Sequence, residues 1–252
     1  MRTILLSALA LALPLSGTAI EEVRVPFGQR EVLFRVVRSP IQERGPVLLS
    51  LHSNESTSLS AAQQLIGKFA GTIIAIDGGG SRRIPLHPNS NRVTLDPNRA
   101  FSAAGVKRDL NRFSIFTDAD AAACVQFGEA IVSTFRIGQG LPVIALHNNT
   151  NGGYSIRSYE KGGNEAKAAA KVFKGKADPD DFFLVTHPQL FEELKAAGYN
   201  VVLQDNRNAP DDGSLSVFCG RNGIVYANVE TEHGKLDTQR EMLEALLRIL
   251  KN

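Results

Sequence analysis

Apolar residues along this chain gather in runs of strand length bounded by turn-forming residues. Such runs occur at residues 47–51, 72–76, 141–146, 182–185, 200–203, 215–218 and 224–229, and each predicts a β-strand. Between several of them the apolar positions recur at helical spacing instead. Ala62, Leu65, Ile66 and Phe69 form one such stripe; Leu243, Leu246, Leu247 and Leu250 form another, after a candidate N-cap at Asp237. Strands alternating with helices predict an α/β fold. The strands are apolar nearly throughout rather than at every second residue, which suits a sheet covered on both faces. The expected architecture is three layers, a mixed, mostly parallel sheet between helices. Ligands are then expected at the carboxyl ends of the strands.

Two stretches break this rhythm. Residues 77–117, rich in Gly, Pro, Asn and Arg, and residues 148–164, rich in Asn, Gly, Ser and Tyr, each follow a strand. Long irregular stretches inside a compact domain are more often functional than decorative, because their backbone polar groups need special arrangements. The N-terminus has a different character. Arg2, an apolar run over residues 4–15 and small residues at Gly17-Thr18-Ala19 have the form of a cleavable export signal. The run is shorter than the ~20 residues a spanning helix needs, so no stable membrane anchor is expected. The expected division is a signal peptide over residues 1–19 and one domain over residues 20–252, placed in the periplasm or secreted.

Composition narrows the partners. A formal charge of +2 is near neutral, and no block of Lys and Arg interleaves with aromatic residues, which argues against nucleic acid. A small-molecule partner is expected. Cys124 and Cys219 are the only cysteines; in an exported chain they could close one disulfide, and the sequence leaves this open.

Candidate chemistry sits at strand ends. The run 47–51 leads straight into His52-Ser53-Asn54-Glu55, and the run 141–146 leads into His147-Asn148-Asn149. Imidazole nitrogen and carboxylate oxygen suit zinc, and adjacent parallel strands would bring His147 to the pair His52 and Glu55. Three protein ligands leave the fourth position open, as a catalytic zinc requires. A general base is also needed, and Glu230 and Glu232, at the end of a third apolar run, share a strand face. In the first irregular stretch, Arg92, Asn98 and Arg99 could grip a carboxylate, since the planar guanidinium binds that group bidentately.

Taken together, these motifs resemble the zinc carboxypeptidase and aspartoacylase/succinylglutamate desuccinylase superfamily, whose pattern runs His-x-x-Glu, Asn-Arg, a single His and a Glu. Leu146-His147-Asn148-Asn149-Thr150-Asn151 is similar to the Leu-His-Asn-Thr-Thr stretch of aspartoacylases. Asp96-Pro97-Asn98-Arg99-Ala100-Phe101 is similar to their Asp-Leu-Asn-Arg-x-Phe stretch, and Arg92 falls near a further carboxylate-binding arginine. Glu232-His233-Gly234-Lys235 resembles the Glu-Leu-Gly-Lys ending of the catalytic strand. The resemblance therefore implies zinc on His52, Glu55 and His147, Glu232 as base, and a substrate grip from Arg92, Asn98 and Arg99.

The chain also departs from the pattern. Carboxypeptidases carry an Arg just before the zinc Glu, where Asn54 stands here, and Asp109-Leu110-Asn111-Arg112 is a second copy of the Asp-x-Asn-Arg motif. The expected activity is hydrolysis of an amide bond in a carboxylate-bearing substrate, carboxypeptidase-like and directed at small peptides, including cell-wall peptides. Two alternatives remain at this point: an N-acyl amino acid deacylase or esterase of aspartoacylase type, and a zinc- or peptide-binding protein without catalysis.

Overall fold

A computed structural model describes residues 19–251, and the elements follow in the order β1 (Ile20–Phe27), β2 (Arg30–Arg38), β3 (Val47–Ser50), α1 (Ser56–Leu65), β4 (Thr72–Ile76), β5 (Ile84–His87), β6 (Ser90–Leu95), α2 (Ala103–Phe113), α3 (Asp118–Thr134), β7 (Val143–Asn149), β8 (Ala169–Phe173), β9 (Phe182–Val185), α4 (Pro188–Ala196), β10 (Val201–Gln204), α5 (Leu215–Arg221), β11 (Tyr226–Glu232) and α6 (Leu236–Lys251). The expected signal peptide, but for Ala19, lies outside the described residues.

Nine strands form one sheet in the order β1-β2-β4-β3-β7-β11-β9-β10-β8, and β5 and β6 pair separately. The middle of the sheet, β4-β3-β7-β11, is parallel. Antiparallel pairs flank it, β1 with β2 and β2 with β4 on one side, β11 with β9 and β10 with β8 on the other. The mixed three-layer α/β architecture is thus the one expected.

Alternation along the strands explains why they read as continuously apolar. Leu49, Ile74 and Ala145 face one core with Leu110 of α2, Phe127 of α3 and Leu215 of α5. Their neighbours Leu48, Ile73, Ile144 and Leu146 face another core with Leu65 of α1, Phe191 of α4 and Leu243 of α6. Each large side chain so buried contributes about 1.5–3 kcal/mol. A smaller cluster, with Ile156, Tyr159 and Phe182, seats the irregular stretch after β7.

Two expectations need correction. The run 215–218 is not a strand but the start of α5, because Ser214 caps it, accepting a hydrogen bond from Val217 N. A run of four apolar residues carries no period that separates strand from helix. The β1–β2 hairpin, conversely, goes beyond the expected strands; its alternation of charged residues with Val25, Phe27, Val32, Phe34 and Val36 buries one face only. Cys124 and Cys219 are both free and buried, with no bridge between them. Burial pushes the Cys124 thiol up to about 12.

Candidate active site

Three strand ends meet in register. In the parallel array Leu49 lies beside Ala145, and His147 lies beside Glu230. Leaving β3, the chain turns tightly, Glu55 N donating to His52 O at 3.1 Å, so that Glu55 stands at the N-cap of α1. Asn148, next to His147, locks that turn: its side-chain oxygen accepts from Ser58 N at 3.0 Å and its own N donates to Glu55 Oε2 at 3.2 Å. The two histidine segments are held together by these bonds as well as by the sheet.

His52, Glu55 and His147 are all buried and present ligand atoms within 4.8 Å of one another. His147 Nδ1 lies 2.8 Å from Glu55 Oε2. His52 Nε2 lies 2.7 Å from Asp96 Oδ1, which fixes the ring and directs Nδ1 at Glu55 Oε1, 2.9 Å away. That Nδ1 has no hydrogen-bond partner. A nitrogen whose ring is oriented by a carboxylate on its far side is the usual arrangement of a metal-bound histidine. The site attracts positive charge. Burial works against a charged His52, yet Asp96 and Glu55 outweigh it and raise its pKa to about 9. Glu55 is likewise held well below the usual carboxylate range; burial opposes this, and His147 and His52 prevail. Two nitrogens and a carboxylate converging on one point, with an orphaned nitrogen among them, fit a zinc ion.

Beside this group lies a cavity of about 460 Å³, lined by Asn54, Glu55, Arg82, Asn98, Arg99, His147, Tyr154 and Glu230 among others. Glu230 is buried; its Oε1 accepts from Asn228 Nδ2 at 3.0 Å, and its Oε2 has no partner. Burial, reinforced by nearby Glu55, pushes its pKa up to about 7, against the pull of His147. Asn98 and Arg99 sit in a short helical turn after Asp96, which accepts from Asn98 N at 2.9 Å. Leu215 N donates to Asn98 Oδ1 at 3.0 Å, and Arg99 pairs with Asp212. The hydroxyls of Tyr154 and Tyr159 hydrogen-bond one another in the same wall.

Two expected site residues stand elsewhere. Glu232 shares its strand face with Glu230 but lies one pleat further, past the cavity, where its Oε1 is 2.7 Å from Lys235 Nζ. Arg92 is exposed on β6 and does not line the cavity. The guanidinium that does reach the His52, Glu55 and His147 group is Arg82, which belongs to none of the motifs in the sequence: Nη1 is 2.8 Å from Glu55 Oε1, and Nε is 3.1 Å from Asp96 Oδ2. Arg82 carried no motif of its own; only its place between the two ligand-bearing segments could have signalled it. Asp96, the His52 partner, was visible in the Asp-x-Asn-Arg motif. In the second copy, Asp109 binds Arg83 through both oxygens at 2.8 and 2.7 Å, which is a structural pairing. His87 pairs with Asp120 and His187 precedes α4, both away from the group.

No family model matches the sequence, and no curated protein does. Solved structures do resemble it. The product-bound ectoine utilization protein EutE (DoeB) of Ruegeria pomeroyi aligns with a TM-score of 0.50 at 13% identity, over 96% of this chain and 70% of that one. Murein-tripeptide amidase MpaA of Escherichia coli O157 aligns at 0.49 and 15%, over 92% of each chain. A succinylglutamate desuccinylase/aspartoacylase of Rhodobacter sphaeroides aligns at 0.46 and 14%, over 97% of this chain and 68% of that one. At such identities the likeness is one of fold alone: the chain shares the α/β fold of the ectoine utilization protein EutE (DoeB).

Proposed function

We propose that this chain is an exported zinc-dependent hydrolase that cleaves an amide bond in a small substrate bearing a free carboxylate, with peptides, including those of the cell wall, as the substrate class. The observation that carries this reading is the pairing, in one cavity, of the His52, Glu55 and His147 donor set with the buried, half-partnered Glu230. His52, Glu55 and His147 would hold the zinc, which when bound supplies Lewis acidity and a lowered pKa for water at the site. Glu230 accepts the proton of the attacking water at Oε2 and returns it to the leaving amine. Arg82 faces the cavity beside Glu55, where its guanidinium stabilises charge developing on the scissile carbonyl oxygen. Arg99 and Asn98 hold the carboxylate of the substrate. Asp96 orients His52 and touches no substrate. Export rests on Arg2 and the apolar run 4–15. No helix among the described residues is long and apolar enough to cross a membrane.

A second reading, an N-acyl amino acid deacylase, is favoured by Asn54, which lines the cavity where carboxypeptidases carry an arginine. Metal analysis and a panel of peptides, muropeptides and N-acyl amino acids separate these readings. The proposal expects about one zinc per chain and peptide cleavage that falls by about 10²-fold or more in Glu230→Gln, while Glu232→Gln stays within a few-fold of wild type. Turnover confined to N-acyl amino acids would establish the second reading instead. Zinc bound without turnover on any amide, or zinc content unaffected by His147→Ala, would defeat the proposal.

A further inference from the structure

We propose that Arg108 and Arg112 of α2 form an anion subsite, so that the preferred substrate continues from its carboxylate-bearing residue, through a long neutral side chain, to a second carboxylate. The inference rests on the hydrolase reading above and names the substrate class for it. A cavity of about 690 Å³ adjoins the catalytic cavity of about 460 Å³, and Arg82, Arg99 and Tyr159 line both. His147, Asn98 and Glu230 line only the first; Arg108, Arg112 and Phe113 line only the second. Arg99, the proposed carboxylate grip, therefore stands between the scissile bond and the second cavity. What passes Arg99 is the side chain of the carboxylate-bearing residue.

The charges of the second cavity say how that side chain ends. Arg82, Arg83 and Arg99 are each paired with an acid, Asp96, Asp109 and Asp212 respectively. Arg108 and Arg112 line the same cavity and pair with no carboxylate among the described residues. They stand one turn apart on α2, a spacing at which like charges weaken a helix. An anion shared by the two relieves that repulsion, and the guanidinium fork matches a carboxylate. Arg112, from the second copy of the Asp-x-Asn-Arg motif, is already held in place. Its guanidinium carbon lies 5.0 Å from the centre of the half-exposed Phe113 ring, which Arg83 also approaches, at 4.3 Å.

The walls also set the length of the side chain. Glu165 lines both cavities and pairs with no cation among the described residues. Its charge disfavours an anion at the junction, where the short side chain of aspartate or glutamate would end. Past the junction, Ala168, Pro210 and Val217 line the second cavity and suit methylene groups. A lysine acylated by a dicarboxylic acid meets these conditions, as does the branch point of a branched peptide with a free carboxylate on the branch.

Initial rates on benzoyl-glycyl peptides ending in Nε-succinyl-lysine, Nε-acetyl-lysine or glutamate test the subsite. The succinyl-lysine peptide is expected to exceed the acetyl-lysine peptide in kcat/KM by about tenfold or more, chiefly through KM, as befits a charge-assisted contact. The glutamate peptide gains less. In Arg108→Gln/Arg112→Gln the ratio of succinyl to acetyl falls to within about twofold, whereas Lys107→Gln, exposed on the same helix and lining neither cavity, keeps it. If the double variant fails to fold, Arg112→Gln alone, with a loss of about threefold or more in the ratio, takes its place. Equal kcat/KM for the succinyl and acetyl peptides in wild type, or a ratio that survives in the double variant, overturns the subsite and leaves the hydrolase reading standing. Wild type that cleaves no amide defeats the hydrolase reading instead, and calorimetry then decides the subsite. Nε-succinyl-lysine binding about tenfold tighter than Nε-acetyl-lysine in wild type only, and not in the double variant, upholds it; equal binding in wild type overturns it.

Discussion

Glu230 stands under two opposing demands. As the proposed base it must be ionised to accept a proton, yet burial and the neighbouring Glu55 favour its neutral form and raise its pKa from 4.5 to about 7. A carboxyl whose folded-state pKa exceeds its unfolded value keeps its proton longer in the folded state. The folded state therefore loses stability as pH rises from about 4.5 through about 7. In chelator-treated protein the loss is of order 3 kcal/mol, at about 1.4 kcal/mol per pKa unit. Glu230→Gln removes this dependence. Urea denaturation at pH 5 and pH 8 is expected to show the variant gaining on wild type by that order at the higher pH, and a constant difference would contradict the assigned environment. At this scale the sequence pointed to the cluster that could hold a metal, because His52, Glu55 and His147 end apolar runs in a recognisable motif. It did not show Arg82, whose role depends on where residues 77–84 fold. Nor could it separate Glu230 from Glu232, since both share a strand face and only the extent of the cavity along β11 divides them.

At the scale of elements, the proposed carboxylate grip depends on a close approach of backbones. Gly128 of α3 packs on the short turn that carries Asn98 and Arg99, and a Cβ at this position would lie 2.1 Å from Ala100 O. Neither a helix nor that turn yields cheaply. Gly128→Ala is expected to destabilise by about 1–3 kcal/mol, as overpacking does, and to raise KM for carboxylate-bearing substrates more than it lowers kcat. Denaturation curves and initial rates read the two effects, and unchanged stability would refute the packing argument. The same dependence on context explains which elements were legible. β3, β4 and β7 are buried on both faces by helices, and β9 by helices on one face and the irregular stretch after β7 on the other, so their apolar runs stand out. The β1–β2 hairpin has a solvent face and mixes charges into the run; α5 is seven residues long and takes its form from Ser214 and its packing rather than from a period. Topology was legible only as a class, because the antiparallel pairs at the flanks leave no mark on strand composition.

At the scale of the whole molecule, the proposed zinc draws together the exit of β3, the start of α1 and the end of β7. Sheet and helices already converge there, and His52 Nδ1 and Glu55 Oε1 meet at 2.9 Å. Two electron-rich atoms at that distance need a proton or a metal cation between or beside them. Without the metal the site relies on protons, which a buried His52 and Glu55 hold at the expense of each other. An ion that binds only the folded chain stabilises it by mass action, about 4 kcal/mol when free zinc stands a thousandfold above Kd. For a domain of this size each kcal/mol moves Tm by about 2–4 °C. Stripping the metal with a chelator is therefore expected to lower Tm by about 10 °C, and restoring zinc to recover it. His147→Ala, which removes one ligand from the shared point, is expected to melt at a temperature nearly indifferent to chelator and to zinc. Scanning calorimetry on both proteins decides the matter: a wild-type Tm that ignores the chelator, or an equal drop in His147→Ala, would mean that the histidine and glutamate cluster is held by protons alone.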